Sequence, residues 1–452
     1  MKMFGTNGIR GIANEYLNCN MLIKIGMSIA VVLGSKSIAI ATDTRTSSDM
    51  IRSAVSAGIM SMGCNIVNLG LVPTPALQYY VKTHDEISGG VMITASHNPP
   101  EYNGVKCISF DGTECSIEEE KKIEETFDKK LETVAWDKIG SETIDNHASE
   151  EYINSIVSKI DIELIKGANL KVCIDCANGA SSITTPLLLK KIGVQTISIN
   201  SSPDGMFPGH YSEPIESNLS DLKRLVTETG ADMGAAHDGD ADRCVFITDK
   251  GRYLTGDVSL ALLSKHAVEN NTHKKVVTTV ATSSIVSDAV KKMGGEIELT
   301  AVGSPIVARK MIDCNGIIGG EDNGGIIFAD HQYCRDGAMA IGKMLEIIAK
   351  NGSLEKQIEK LPKYYTIKNV MPCDESFKQI VMEELKANHI NDKINTLDGL
   401  RIEYGDGWVI MRPSGTEPKF RITVESNNME KAKEYAELFK NEYNSIYKKM
   451  KQ

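Results

Sequence analysis

The sequence "SIAIATDTRTSSDMIRSAVSAGIMSMGCNIVNLG", residues 37–70, decides the fold because it predicts a strand, a helix and a second strand in succession. The two strands are the short apolar runs "SIAIATD" (37–43) and "NIVNLG" (65–70). The serines that open the intervening segment are typical of a helix cap. Apolar side chains then recur on one face of the helix at Ile51, Val55, Ile59 and Met62. Such a β-α-β order favours an α/β domain.

The same alternation recurs along the chain. Residues 170–238 and 275–302 repeat strand-like runs separated by helical periods, which predicts three similar α/β units. Within the second unit, "SSITTPLLLKKIG" (181–193) is predicted to form one helix. After Pro362, strands and two helices predict a small α+β domain. We therefore expect four domains, with the boundaries 1–150, 151–251, 252–361 and 362–452.

The composition excludes several classes of protein. With 41% hydrophobic and 24% charged residues among 452, the chain has the composition of a soluble globular protein. No apolar run approaches the roughly 20 residues that span a bilayer, and the start "MKMFGTNGIRG" lacks a signal segment, so we expect a cytoplasmic protein with no membrane partner. The net charge of −10 argues against nucleic acid as a partner. Ten irregularly spaced cysteines, including Cys173 and Cys176, are expected to be reduced core thiols.

Three aspartates alternate in "AAHDGDADRCVF" (235–246), and all three lie between apolar runs. Oxygen ligands at this spacing suit a divalent cation, and Mg²⁺ is the natural candidate for Asp238, Asp240 and Asp242. An EF-hand calcium loop is excluded because Arg243 occupies the position of its glycine and a strand-like run follows. The alternative is a solvated acidic turn, which the apolar flanks make electrostatically costly.

The stretch "GGVMITASHNPPEYNGVKC" (89–107) carries a candidate nucleophile. Two prolines prevent a helix from following Ser96 and His97, so we expect Ser96 to be exposed at a loop tip. A hydrolase elbow is disfavoured because the G-x-S-x-G motif is missing. Lys106 offers an amine that can move a proton if its pKa is tuned. Taken alone, the stretch is equally compatible with an ordinary Asn-Pro turn.

Two further loops carry groups that suit a sugar phosphate. In "MRPSGTEPKFR" (411–421), backbone N–H groups, hydroxyls and two arginines can form a phosphate cradle, or the loop is a plain surface turn. In "GGEDNGG" (319–325), Glu321 and Asn323 can hydrogen-bond to sugar hydroxyls, although such a loop is often only a turn.

In this order and spacing, the four stretches resemble the α-D-phosphohexomutase superfamily, which includes phosphoglucomutases, phosphomannomutases and phosphoglucosamine mutases. The likeness covers essentially the whole chain. It implies four domains around a central cleft: three similar mixed α/β domains and a smaller α+β C-terminal domain. From domain I to domain IV they would carry the phosphoserine, metal-binding, sugar-binding and phosphate-binding loops.

The resemblance also implies roles for individual residues. Ser96 would carry a phosphoryl group and join Asp238, Asp240 and Asp242 in holding Mg²⁺. Lys106 would be the general base, with His97 close to the transfer. Substrate-binding or charge-stabilising roles would fall to Arg10, Arg243, Glu321, Asn323, Arg412, Ser414, Gly415, Thr416 and Arg421. The implied partner is a sugar phosphate, the implied activator a hexose 1,6-bisphosphate, and the expected assembly a monomer or homodimer.

The substrate expectation rests on two departures from many relatives. The sugar loop ends in Asn323-Gly324-Gly325 instead of Ser-Gly-His, and Gly303-Ser304 replaces a Gly-His or Gly-Trp pair. These forms, with "FGTNGIRG" at the start, look most like archaeal-type phosphoglucosamine mutases. We therefore expect glucosamine 6-phosphate and glucosamine 1-phosphate as substrates, with mannose or glucose phosphates as the alternative. A Mg²⁺-dependent sugar phosphatase and a non-catalytic sugar-phosphate sensor are the rivals from other classes.

Overall fold

The computed structural model describes residues 2–5, 7–414 and 418–451. The chain divides into two compact units, Met1–Ser259 with Asn323–Gln357, and Leu260–Asp322 with Ile358–Gln452. Each unit is described by itself below.

The first unit opens with a six-stranded sheet in the order β1-β5-β4-β2-β3-β6. Its elements are β1 (Ile9–Ile12), α1 (Cys19–Leu33), β2 (Ser37–Thr42), α2 (Ser48–Ser61), β3 (Ile66–Leu71), α3 (Thr74–Thr83), β4 (Ile87–Ile93), β5 (Tyr102–Ile108), α4 (Ile117–Phe127) and β6 (Glu142–Ile144). Strands β4, β2 and β3 are parallel neighbours, and β5 pairs antiparallel with β4. Ser96 lies in the turn between β4 and β5, at the end of the sheet where β4 finishes.

Helices α1 and α2 pack closely because each has a glycine where they meet. A Cβ at Gly26 would lie 2.2 Å from the carbonyl oxygen of Val55, and one at Gly58 would lie 2.1 Å from that of Ile23. No other residue fits at that separation. Buried Leu22, Ile25, Ile29, Ile38, Ile51 and Val55 form part of the core beneath them.

The first unit continues with a five-stranded sheet in the order β11-β10-β9-β7-β8. Its elements are α5 (Ala148–Val157), α6 (Ile162–Gly167), β7 (Lys171–Asp175), α7 (Thr185–Lys191), β8 (Gln195–Ile199), α8 (Ser220–Thr229), β9 (Met233–His237), β10 (Cys244–Thr248) and β11 (Tyr253–Leu254). Helix α9 (Gly256–Glu269) begins in the first unit, and its residues from Leu260 onward belong to the second. Strands β9 and β10 are antiparallel, so the three aspartates lie in the turn between them. The helix predicted over 181–193 is wrong in its first part: a 3-10 turn spans Ala180–Ile183, and α7 begins only at Thr185, beside Pro186.

The second unit begins with three parallel strands in the order β13-β12-β14. Its first elements are β12 (Lys275–Thr279), α10 (Ser284–Lys292), β13 (Glu296–Thr300), α11 (Ser304–Cys314) and β14 (Ile318–Gly320). Among these three strands, the one that comes first in the chain, β12, lies between the second, β13, and the third, β14. The same arrangement occurs in β4-β2-β3 and in β9-β7-β8. This common order confirms the prediction of three similar α/β units.

The remaining elements finish both units. Those of the first unit are β15 (Ile326–Phe328), β16 (Gln332–Arg335), α12 (Gly337–Asn351) and α13 (Leu354–Ile358). Those of the second are β17 (Tyr365–Pro372), α14 (Lys378–Asn388), β18 (Ile394–Asn395), β19 (Leu400–Tyr404), β20 (Gly407–Pro413), β21 (Lys419–Ser426) and α15 (Met429–Met450). The antiparallel order β17-β21-β20-β19-β18, with Phe420, Phe439 and Tyr443 in its core, confirms a small α+β domain at the C-terminus.

All ten cysteines are free thiols, as predicted, and Cys173 and Cys176 are both buried. The expectation that all ten lie in the core is wrong for Cys19, which is exposed, and for Cys314, which is half-buried; the other eight are buried. Within the described residues, no helix combines the length and the apolar character needed to cross a bilayer.

Candidate active site

Ser96 lies in the turn that follows β4, and its backbone adopts a positive φ of 54°. Its hydroxyl donates a 2.8 Å hydrogen bond to Oδ2 of Asp238, and Nδ1 of His97 lies 3.2 Å from the same hydroxyl oxygen. The prediction that Ser96 is exposed is wrong, since none of its surface reaches solvent. The reason is that the second sheet's turns pack against it: a Cβ at Gly239 would lie 2.5 Å from the Ser96 carbonyl oxygen.

The aspartate turn places three buried carboxylates together. One oxygen from each of Asp238, Asp240 and Asp242 lies within 4.8 Å of the other two. Burial and the two neighbouring carboxylates raise the pKa of Asp238 to about 8. The three residues are at most 1% exposed, so the turn is not the solvated acidic loop that was the alternative.

The donor set fits a hard divalent cation. Oδ1 of Asp240 and Oδ1 of Asp242 are buried and accept no hydrogen bond, although buried carboxylate oxygens almost always have a partner. Carboxylate oxygens with one hydroxyl oxygen, from Ser96, are ligands that Mg²⁺ accepts. The residues therefore fit the ion that the sequence predicts.

Lys106 projects from β5 into the carboxylate cluster. Its Nζ lies 2.6 Å from Oδ2 of Asp240 and 3.0 Å from Oδ2 of Asp242. Burial would lower the pKa of Lys106, but the two carboxylates outweigh it and raise that pKa. In this arrangement Lys106 is an ammonium, and its role as general base stays a prediction.

The other candidate residues of the first unit surround Ser96. Arg10 donates hydrogen bonds to the carbonyl oxygen of Ala95 at 3.1 Å and to Oδ1 of Asn98 at 2.8 Å. Arg243 has its Nε 3.9 Å from Oδ2 of Asp238, and this buried Nε has no hydrogen-bond partner. Burial, together with the charges of Arg243 and Arg10, lowers the pKa of His97 to about 2, so His97 is neutral at pH 7.

Two residues that contact the carboxylate cluster were not predicted from the sequence. Thr74, at the start of α3, donates a 2.6 Å hydrogen bond to Oδ2 of Asp240. Arg335, at the end of β16, has Nη2 2.5 Å from Oδ2 of Asp242. Neither belongs to a recognisable motif, although the Arg335-Asp336-Gly337 sequence before α12 marks a helix start that could have drawn attention to it.

The sugar-loop residues are divided between the units. Glu321 follows β14 in the second unit, is 5% exposed, and accepts a 2.9 Å hydrogen bond from the N–H of Gly303. Asn323 belongs to the first unit, where its Oδ1 accepts a 3.0 Å hydrogen bond from the N–H of Gly325. Asn323 therefore shapes its own loop, whereas Glu321 ties its loop to the one that precedes α11.

The phosphate-cradle candidates lie at one end of the C-terminal sheet. Arg412 on β20 and Arg421 on β21 are directly opposite each other in the antiparallel register. Like charges so placed repel, and a bound anion relieves the repulsion. Nη1 of Arg412 lies 2.7 Å from Oδ2 of Asp398, and Ser414 is buried beside the loop. Gly415 and Thr416 lie outside the described residues.

Models of four successive domains of one family match the chain. The alpha/beta/alpha domains I, II and III and the C-terminal domain of phosphoglucomutase/phosphomannomutase match residues 1–134, 150–251, 255–365 and 371–442. A phosphoglucomutase/phosphomannomutase of Thermococcus kodakarensis is 42% identical and covers 97% of each chain. A phosphoglucosamine/phosphogalactosamine mutase of Sulfurisphaera tokodaii is 39% identical over 94% of this chain and 96% of its own.

Among solved structures, a phosphoglucomutase/phosphomannomutase family protein from Burkholderia thailandensis has the same fold. Its TM-score is 0.88 at 24% identity, with 98% of this chain and 97% of that chain covered. At that identity the likeness concerns the fold alone.

Proposed function

The chain belongs to the phosphoglucomutase/phosphomannomutase family, and we propose that this hexose-phosphate mutase works through a phosphoryl group on Ser96 and acts on glucosamine phosphate. The observation that carries the proposal is the 2.8 Å hydrogen bond between the Ser96 hydroxyl and Asp238, inside a buried carboxylate cluster. A serine beside ligands for Mg²⁺ suits phosphoryl transfer, in which charge stabilisation is the main task of the protein.

The reaction has two balanced halves. In the first, the bond between the phosphorus and Oγ of phosphorylated Ser96 breaks as a sugar hydroxyl forms a new bond to that phosphorus. The proton of the sugar hydroxyl passes to a base, the released Oγ of Ser96 takes up a proton, and the sugar becomes a 1,6-bisphosphate. After the bisphosphate turns round, the Ser96 hydroxyl loses its proton as Oγ bonds to the phosphorus of the other phosphoryl group. The bond from that phosphorus to the sugar oxygen breaks, the sugar oxygen takes up a proton, and the positional isomer is released.

The chain's own residues hold the charges of this transfer. Bound Mg²⁺ would neutralise negative charge on the oxygens of the moving phosphoryl group. Arg243, whose buried Nε has no partner, and Arg10, which contacts the serine loop, are the cations next to it. Lys106 is the amine within the cluster, and we propose that it accepts the proton of the sugar hydroxyl. This needs the neutral amine, which a cation bound to Asp240 and Asp242 would favour by offsetting the two carboxylates that raise the pKa of Lys106.

The non-reacting phosphate needs a separate holder that accepts either end of the bisphosphate. We assign this to Arg412, Ser414, Gly415, Thr416 and Arg421. The strand register supports the assignment, because Arg412 and Arg421 lie directly opposite each other and two arginines so placed can both bind one phosphate. Charge-assisted hydrogen bonds from arginine to phosphate are among the strongest that a side chain makes.

Glucosamine phosphate is the proposed substrate for two reasons. The relative from Sulfurisphaera tokodaii is named for glucosamine and galactosamine phosphates. In addition, Glu321 places a nearly buried carboxylate in the proposed sugar-binding loop, where it suits an ammonium group. The side-chain amide of Asn323 would accept a hydrogen bond from a neighbouring sugar hydroxyl and donate one to it. A hexose 1,6-bisphosphate is the proposed activator, a monomer or homodimer the proposed assembly, and the cytoplasm the proposed location.

The test is a coupled assay with glucosamine, mannose, glucose and N-acetylglucosamine phosphates. We expect isomer formation that needs Mg²⁺ and rises with hexose 1,6-bisphosphate, with the highest kcat/KM for glucosamine phosphate. Mass spectrometry of the purified protein should find one phosphoryl group on Ser96. Ser96→Ala should abolish isomer formation. The control Ser61→Ala should not, since the Ser61 hydroxyl donates a 2.7 Å hydrogen bond to the Gly58 carbonyl oxygen of its own helix.

Each rival predicts a different result. Steady release of inorganic phosphate without isomer identifies a phosphatase, and binding without turnover identifies a sensor. Full isomerase activity in Ser96→Ala would refute the phosphoserine mechanism.

A further inference from the structure

The serine loop, residues 95–102, holds Ser96 in a backbone conformation that serine rarely adopts. Its φ of 54° is left-handed, a region where residues with a side chain are disfavoured. The N–H of Ser96 donates a 2.8 Å hydrogen bond to Oγ1 of Thr94, which is one restraint. Because the conformation is unfavourable by itself, the surroundings must enforce it.

Arg45 supplies that enforcement from beneath the loop. The residue follows β2, is 2% exposed, and directs its guanidinium at the loop backbone. The carbonyl oxygens that accept its hydrogen bonds are those of Ser96 at 2.9 Å, Asn98 at 2.6 Å, Pro99 at 2.6 Å and Tyr102 at 2.8 Å. Nε completes the set with a 3.1 Å bond to Oδ2 of Asp43. All five N–H groups of the guanidinium therefore have an acceptor.

Two neighbours fix Arg45 itself. Asp43 has a fully buried side chain and also accepts hydrogen bonds from the Arg45 N–H at 3.0 Å and from Oγ1 of Thr94 at 2.6 Å. Thr94 thus links the carboxylate to the N–H of Ser96. The ring of Phe207, from the second sheet's loop, lies 5.0 Å from the guanidinium carbon, a cation–π distance.

We propose that Arg45 is a positioning residue that holds the serine loop so that the Ser96 hydroxyl faces Asp238. The inference rests on the proposed role of Ser96 as phosphoryl carrier. Arg45 is distinct from Arg243, whose Nε has no hydrogen-bond partner: Arg45 has no N–H left for a substrate phosphate. It acts through the loop, so its loss should change the rate of transfer and leave sugar-phosphate binding intact.

The experiment compares Arg45→Lys and Arg45→Met with the control Arg52→Met, in the full-length protein. Arg52 lies on α2 and pairs with Glu142 at 2.9 Å. Lysine has three N–H groups for five acceptors, so it should rescue only part of the function that methionine loses. Since a misplacement of about 1 Å costs about 100-fold in rate, we expect kcat to fall by roughly that factor in Arg45→Met, with KM within about twofold.

Hydrogen–deuterium exchange supplies a readout that does not depend on turnover. Peptides covering 94–102 should exchange faster in both Arg45 variants, while peptides from β7 and α8 should not change. In Arg52→Met, exchange and kinetics should match the wild type.

Other results would overturn the inference that Arg45 positions the serine loop. Unchanged kcat in folded Arg45→Met, or a raised KM with unchanged kcat, overturns the inference. If the Arg45 variants do not fold, Phe207→Leu replaces them: a lower kcat at constant KM with faster exchange at 94–102 supports the inference, and unchanged kcat and exchange overturn it. A wild-type protein without mutase activity would refute the proposed function, while the exchange results would still decide whether Arg45 holds the loop.

Discussion

Replacing Arg335 by methionine tests whether the carboxylate cluster is balanced by buried cations. Three carboxylates, those of Asp238, Asp240 and Asp242, face the charges of Lys106, Arg243 and Arg335. The Arg335–Asp242 pair has side-chain exposures of 5% and 2% and a separation of 2.5 Å. Removing one partner of such a buried pair typically costs about 3–5 kcal/mol.

We expect the lower end of that range for Arg335→Met. Asp242 keeps Lys106 at 3.0 Å, which limits the uncompensated charge. The expected loss is therefore about 3 kcal/mol in the free energy of unfolding of the first unit, measured without metal. A divalent cation should return part of this loss, because it supplies positive charge to the same carboxylates and binds the folded state alone.

The assay is calorimetric unfolding of wild type, Arg335→Met and Arg252→Met, each with EDTA and with excess Mg²⁺. Arg252 is the matched control, since its pair with Glu355 has a separation of 3.3 Å and side-chain exposures of 55% and 25%. An exposed pair contributes less than about 1 kcal/mol. The stabilisation by Mg²⁺ should be larger in Arg335→Met than in the wild type and in the control. Equal losses in the two variants, or equal Mg²⁺ effects in all three proteins, would refute the reasoning.

Three further predictions concern metal, substrate and pH. Chelation of divalent cations should abolish isomer formation and added Mg²⁺ should restore it; full activity after exhaustive chelation would exclude a metal-dependent transfer. Arg412→Ala should raise KM by about 10-fold or more, because a charge-assisted bond to phosphate contributes roughly 1.5–3 kcal/mol, and a fall in kcat at constant KM would contradict this. Although burial opposes it, hydrogen bonds with Glu442 and Asp392 raise the pKa of His389. Protonated His389 therefore stabilises the folded state: its contribution is complete below the ordinary histidine pKa of about 6.5 and is lost as pH rises through the raised pKa. Wild type should therefore lose more free energy of unfolding as the pH is raised than His389→Gln does. Thermal unfolding followed by tryptophan fluorescence in a Trp136→Phe background, where buried Trp408 is the remaining tryptophan, measures this difference, and parallel pH profiles would contradict it.

The sequence identified the chemistry because each loop carries its groups close together along the chain. Asp238, Asp240 and Asp242 are adjacent in one turn, so their spacing alone predicted a cation site. Thr74 and Arg335 were missed because they reach the cluster only through folding, from 166 and 93 residues away. No local pattern distinguishes such residues from any other threonine or arginine.

The prediction that Ser96 is exposed was wrong for a similar reason. Local rules place a serine before two prolines at a loop tip, and the tip is indeed a turn after β4. Its burial depends on Gly239, in the turn between β9 and β10, and on Ser212, in the loop between β8 and α8. Ser212 donates a 3.3 Å hydrogen bond to the Ser96 carbonyl oxygen. The break before α7 was available from the sequence, because Pro186 favours the first turn of a helix and not its middle.

The thiol distribution has a practical consequence for watching this protein work. Cys19, at the start of α1, is the exposed thiol among the ten, and burial raises the pKa of Cys173, Cys176 and Cys244. Maleimide reagents attack thiolates, so near neutral pH a dye should attach first at residue 19. A second cysteine engineered on α15 would then give a donor–acceptor pair for single-molecule energy transfer, without first removing the native thiols.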